Sequence, residues 1–189
     1  MKYKALIFDF FGVVCSEISP LWFEEHFAEK GKELRHQYLR PADRGDVSQE
    51  ELFAELAVMA KVTPEEIEKD WLAHVRFNTE LIDFIRELKS EYQIGLLSNA
   101  TSPFFHTVMA LSGTIDLFGQ VVVSSEVGYA KPEPEIYEII LSRMEIAPSE
   151  ALMIDDGQVN IDGAKKVGME GYLYTSVPQL RAELPNSHF

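Results

Sequence analysis

Residues 5–14 read ALIFDFFGVV: four apolar residues, an acid at position 9 and a glycine three residues later. A run this continuous in hydrophobicity suits a central parallel strand buried on both faces. Two further stretches have the same form. Residues 94–101 read IGLLSNAT and residues 151–160 read ALMIDDGQVN. Each is an apolar strand that stops at a polar or acidic exit. Between them, residues 128–137 read GYAKPEPEIY. In an open parallel sheet, ligands bind beyond the carboxyl ends of the strands. If these strands are neighbours, Asp9, Ser98, Lys131, Asp155 and Asp156 meet at one place. Carboxylates, an amine and a hydroxyl in one cleft describe a site for a metal ion and a phosphate.

Outward from these stretches, the chain after Asn78 alternates regularly. Leu81, Phe84, Ile85 and Leu88 form a helical stripe, followed by strand 93–99, helix 102–113, strand 120–125, helix 134–144, strand 151–156, helix 160–168 and strand 171–175. This predicts an α/β fold, a three-layer Rossmann-like parallel sheet core. Residues 20–78 read differently. Leu21, Trp22, Phe23 and Phe27 suit one helix face. Ser48 with Glu51, and Thr63 with Pro64 and Glu66, are capping-box patterns that open helices. The expected division is a core of residues 1–14 and 79–189 with an inserted α-helical cap over 15–78, lying as a lid above the carboxyl edge of the sheet.

Composition narrows the partners. The chain has 189 residues, 46% hydrophobic and 25% charged, enough for a packed core rather than disorder. A net charge of −14 disfavours nucleic acid and anionic membranes. No segment approaches the roughly 18 uncharged apolar residues of a membrane span. The first residues resemble a core strand more than a signal sequence, because Asp9 interrupts them. A single cysteine, Cys15, forms no intramolecular disulfide, and the expected compartment is the cytoplasm.

Each candidate has a plain alternative. Asp9 at a strand end can be a nucleophile, a metal ligand or a loop cap. Asp155 and Asp156 repel each other unless a cation or hydrogen bonds intervene, and Mg²⁺ suits such oxygens; they also suit a helix N-terminus. Ser98 and Asn99 can hold phosphate oxygens or make an ordinary turn. Lys131 can neutralise developing charge or be a solvated surface lysine. Phe10, Phe11, Trp22, Phe23 and Phe27 read first as core or cap packing. His26, His36 and His74 show no metal-ligand spacing, and His106 reads as a surface or satisfied histidine on helix 102–113. Asn160 reads as a helix cap, and Cys15 as buried and inert.

The order and strand-end placement of Asp9, Ser98, Lys131 and Asp155/Asp156 resemble the four motifs of the haloacid dehalogenase-like (HAD) hydrolase superfamily, over nearly the whole chain. GYAKPEPEIY and IDDGQVNIDGAKKVGM are similar to the wording of the subgroup with a small helical cap after the first motif. The resemblance implies Mg²⁺-dependent hydrolysis of a small phosphorylated metabolite through an aspartyl-phosphate. In that reading Asp9 is the nucleophile and a metal ligand, and the backbone carbonyl of Phe11 is a second ligand. Ser98 and Asn99 bind the phosphoryl group. Lys131 offsets charge, and Asp155 and Asp156 complete the metal site.

One position departs from the pattern. Phosphatases of the superfamily usually carry an Asp two residues after the nucleophile as general acid and base, and here that residue is Phe11. Losing such a group typically costs about 10²–10⁴-fold. Three readings stay open: a phosphatase whose proton comes from elsewhere, with Glu24, His26 and His36 as candidate donors; a haloacid dehalogenase, whose leaving group needs no proton; or a catalytically weak binding protein.

Overall fold

The computed structural model describes residues 3–184. Strand β1 (Ala5–Phe8) opens the chain. Helices α1 (Ser19–Phe27), α2 (Gly31–Asp43), α3 (Gln49–Ala60) and α4 (Pro64–Ala73) follow it. Then come α5 (Thr79–Leu88), β2 (Gln93–Ser98), α6 (Ser102–Ser112), β3 (Gln120–Val123) and the single turn α7 (Ser124–Val127). The chain continues through α8 (Pro134–Met144), β4 (Ala151–Asp155), α9 (Gln158–Lys166), β5 (Glu170–Leu173) and α10 (Val177–Glu183). The five strands form one parallel sheet in the order β3-β2-β1-β4-β5. The α/β architecture expected from the alternation is the one observed.

Every residue of β1 and β4 is buried, as strands covered on both faces require. Leu6, Phe8, Leu96 and Ile154 point to one face, where Leu81 and Ile85 of α5 and Phe105 and Val108 of α6 cover them. Ile7, Leu97, Val122 and Met153 point to the other, under Ile136 and Ile140 of α8 and Ile161 of α9. The first of these apolar clusters continues without a break into Trp22, Leu52, Phe53, Leu56, Ile67 and Trp71 of α1, α3 and α4. The inserted helices therefore share buried surface with the α5–α6 layer.

Local signals explain most boundaries. Both capping boxes form: Ser48 with Glu51 opens α3, and Thr63 with Glu66 opens α4. The insertion is zipped at its base, where the Ser16 N–H donates to the Arg76 carbonyl (2.8 Å) and the Asn78 N–H to the Val14 carbonyl (2.9 Å). Two readings are corrected. Leu21 is 45% exposed, because the inward face of α1 follows the four-residue spacings Trp22–His26 and Phe23–Phe27 and leaves position 21 outside. The apolar run 120–125 yields a strand only to Val123, and Ser124 turns into α7 with its hydroxyl accepting from the Ala100 N–H (3.0 Å).

Candidate active site

The register decides which polar groups share the sheet edge. Phe8 lies level with Leu96 and Ile154. One residue on, the Asp9 N–H donates to the Ile154 carbonyl (2.9 Å), so Asp9 and Asp155 leave the sheet side by side. Ser98 ends β2 on the other flank of β1. Lys131 reaches in from the loop before α8, with its side chain almost wholly enclosed, and its Nζ stands 2.7 Å from Asp9 Oδ1 and 2.7 Å from Asp155 Oδ2.

The two oxygens of Asp9 differ. Oδ1 accepts from the Phe10 N–H (2.7 Å) as well as from Lys131, whereas Oδ2 accepts no hydrogen bond among the described residues. Asp155 is fully engaged: Oδ2 by Lys131, and Oδ1 by the Gly157 N–H (2.8 Å) and the Asn160 amide (2.9 Å). Asp156 is the exposed member of the three. It stands over the exit turn of β1, where a Cβ on Gly12 would lie 2.3 Å from its Oδ2. Gly12 also has φ +90, so this turn needs glycine for conformation and for space.

The charges do not balance. Burial pushes the Asp9 carboxyl well above its usual range, with Lys131 opposing and Asp155 adding to the rise. Burial and Asp155 together raise Asp156. Burial also works to raise Asp155, but Lys131 and the hydrogen bonds from Asn160 and Gly157 together outweigh it and hold the carboxyl low. Burial disfavours the Lys131 ammonium, yet Asp155 and Asp9 keep it above the ordinary lysine range. Three carboxylates against one ammonium leave an excess of negative charge in a site where one oxygen from each acid lies within 4.8 Å of the others. That donor set fits a hard divalent cation. The Phe11 carbonyl fits as a further oxygen ligand: it accepts no hydrogen bond among the described residues, whereas the Phe10 carbonyl accepts from Val13, Val14 and Cys15. The Ser98 hydroxyl is fully buried without a hydrogen-bond partner among the described residues. An anion at the strand ends would satisfy it.

Two residues sit differently from the sequence reading. Asn99 spends its side chain on Lys131: Oδ1 accepts from the Lys131 N–H (2.8 Å) and Nδ2 donates to the Lys131 carbonyl (2.9 Å). A phosphate would thus meet its backbone, not its amide. Asn160 does not cap α9, whose N-cap is Gly157; it lies inside the first turn, where its amide can reach back to Asp155.

Between this edge and the inserted helices lies a cavity of about 610 Å³. Asp9, Asn99, Lys131 and Asp156 line its core side, and Phe11, Phe104, Leu52 and Trp71 form an apolar wall. Phe11 stacks on Phe104 (6.1 Å between ring centres), and Phe104 meets Trp71 edge-on (5.3 Å). The insertion contributes Glu17, Arg35, His36, Arg40 and Asp43. Of the donors suggested for the missing acid, only His36 faces the cavity. Glu24 is outside it and exposed, and His26 stacks on Trp22 with Nδ1 against the Trp22 carbonyl (2.9 Å). Sequence reasoning passed over Glu17, Arg35 and Asp43.

The insertion is fastened to the core beside the cavity. Arg44 forms an ion pair with Glu133. Gln49 Oε1 accepts from the Thr101 hydroxyl and from the Phe104 N–H, each at 2.8 Å, so a side chain of α3 caps the start of α6. At Gly45 (φ +78) a Cβ would lie 2.5 Å from the Ser125 carbonyl.

The site is thus a buried aspartate at the end of a parallel strand, tethered by a lysine and facing an acidic pair. The profile of the haloacid dehalogenase-like hydrolases matches residues 3–168, and the chain belongs to that family. It is 28% identical to a D-ribitol-5-phosphate phosphatase of Bacteroides thetaiotaomicron over 96% of each chain, and 24% identical to a sesquiterpene phosphatase of Aspergillus oryzae over 89% of this chain and 88% of that one. A HAD family enzyme of Bacteroides thetaiotaomicron, solved with magnesium and inorganic phosphate, superposes with a TM-score of 0.78 at 23% identity, covering 94% of this chain and 98% of that one. Among the described residues no helix is long and apolar enough to cross a membrane.

Proposed function

We propose that this chain is a magnesium-dependent phosphatase of a small phosphate ester, working through a phosphorylated Asp9, with α1–α4 as its cap. The observation that carries this is the asymmetry of Asp9, a residue that lines the cavity that would hold substrate: one oxygen is fixed by Lys131 and Phe10, and the other accepts no hydrogen bond among the described residues. Asp9, Asp156 and the Phe11 carbonyl, with Asp155 directly or through water, would hold Mg²⁺, which would supply the positive charge that lets an anionic nucleophile approach an anionic phosphate.

The protein's own residues supply the rest. Asp9 Oδ2 attacks phosphorus and the ester P–O bond breaks. Lys131 stabilises the charge between nucleophile and phosphate. The Ser98 hydroxyl holds a phosphoryl oxygen. Water then attacks the phosphorus of phospho-Asp9, releasing phosphate and restoring the carboxylate. The cap limits the cavity to a compact substrate and keeps bulk water from the acyl phosphate. The D-ribitol phosphate and sesquiterpene phosphate hydrolases among its relatives support the class of ester without choosing its alcohol. Against a dehalogenase stands the acidic cluster, which halide displacement does not need.

The test is hydrolysis of p-nitrophenyl phosphate by wild type and Asp9→Asn, with and without Mg²⁺. Metal-dependent turnover abolished in the variant is expected. Turnover that ignores the metal, or survives Asp9→Asn, rules the mechanism out.

A further inference from the structure

We infer that Asp43, at the end of cap helix α2, is the general acid and base that Phe11 cannot be. This rests on the phosphatase reading above. Asp43 lines the same cavity as Asp9 but from the opposite component, the insertion. Its carboxyl makes no hydrogen bond or ion pair among the described residues, so its proton is committed to no protein acceptor. It is the last residue of α2, and a carboxylate there faces the negative end of the helix dipole. No packing or capping purpose explains an acid in that place.

The surroundings of this half-buried carboxyl bring its titration close to neutral pH. Burial raises its carboxyl to about 7, Glu17 adds to the rise, and Lys131 and Arg35 oppose it. The other titratable or charged cavity groups are Asp9 and Asp156 at the sheet edge, His36 and Arg40 from α2, and Glu133 in its ion pair with Arg44. Helices α1, α3 and α4 bring only Ser19, Leu52 and Trp71 to the cavity, and α7 brings nothing. An acid that titrates near the working pH can both give and take a proton.

The two half-reactions balance. As Asp9 Oδ2 bonds to phosphorus and the ester P–O bond breaks, the Asp43 carboxyl gives its proton to the leaving alkoxide. The Asp43 carboxylate then takes a proton from the water that attacks phosphorus. The P–O bond to Asp9 breaks, phosphate leaves, and Asp43 is protonated again.

The experiment uses the full chain with Mg²⁺ and two probes: p-nitrophenyl phosphate, whose leaving group needs no proton, and phenyl phosphate, whose leaving group does. Wild type should hydrolyse both, with kcat/KM for phenyl phosphate falling above about pH 7. Asp43→Asn should lose about 10²–10⁴-fold on phenyl phosphate and lose that alkaline limb. With p-nitrophenyl phosphate it should release one burst of p-nitrophenol and stall, because Asp9 is still phosphorylated but water is not activated. Glu17→Gln should move the limb to lower pH, a shift that a merely structural role for Asp43 would not produce and that is readable even if Asp43→Asn fails to fold. His36→Gln should keep the limb. An active wild type with an Asp43→Asn profile like its own, or a limb that vanishes in His36→Gln instead, overturns the assignment. A wild type inert toward both esters overturns the phosphatase reading beneath it.

Discussion

Asn99 holds the Lys131 backbone on both sides of its Cα, with its side-chain oxygen on the lysine N–H at 2.8 Å and its side-chain nitrogen on the lysine carbonyl at 2.9 Å. The aim of the ammonium at Asp9 and Asp155 therefore depends on a neighbour that itself touches neither acid. Asn99→Ala removes two hydrogen bonds, worth about 2 kcal/mol together. Turnover should fall roughly 10–100-fold, as when supports of a site are lost. Urea unfolding and kcat on an aryl phosphate check the pair. Lost stability with unchanged kcat would leave Asn99 as a strut only.

Lys131→Met leaves the buried carboxylates of Asp9 and Asp155 facing each other without their shared cation. Breaking a buried pair costs about 3–5 kcal/mol. Mg²⁺ should then raise the melting temperature of the variant more than that of wild type, because ligand binding to the native state stabilises it. Equal increments in thermal melts would argue that the metal and the lysine do not answer to the same charges.

Gly12→Ala places a methyl 2.3 Å from Asp156 Oδ2 in a backbone region that alanine avoids. The acid must swing away. Mg²⁺ affinity by titration calorimetry should weaken at least about tenfold, while the sheet is retained. Unaltered affinity would remove Asp156 from the ligand set.

Asp43 titrates at about 7 in the folded chain against an ordinary value of 3.8. Between those values the native state binds the extra proton, so unfolding becomes easier as pH rises. The stability it contributes is complete below the unfolded value and is lost as pH climbs through about 7. Asp43→Asn should therefore raise the melting temperature more at pH 8 than at pH 5. A gain independent of pH would mean that the carboxyl is not raised.

The strand-end groups were legible because apolar runs stop at them and parallel sheets put such stops in one row. Asp9, Ser98, Asp155 and Asp156 lie within or just after runs that period and length identify, whereas Lys131 was legible only from the GYAKPEPEIY stretch before a helix. Glu17 and Asp43 were not legible: 26 positions apart, they come together only through the folding back of α1 on α2, and neither interrupts an apolar run. The one local sign at Asp43 was an acid just before Arg44 and Gly45, where a helix ends and a base is favoured. Asn160 was misread because its spacing of five from Asp155 suits a helix cap as well as a reach back to a carboxylate. Leu21 was misplaced because three adjacent large side chains, Leu21, Trp22 and Phe23, fit more than one helix face.

Phe11 begins a file of rings that runs through Phe104 to Trp71 and on to Phe53 in α3. The residue at the position usually kept for an acid is thus also a joint between the sheet and the insertion. Phe11→Asp would set a carboxylate against an aromatic face and unpack that joint in one step. Position 11 is thus a mechanical coupling, where the chemistry of the sheet edge and the seating of the inserted helices cannot be altered separately.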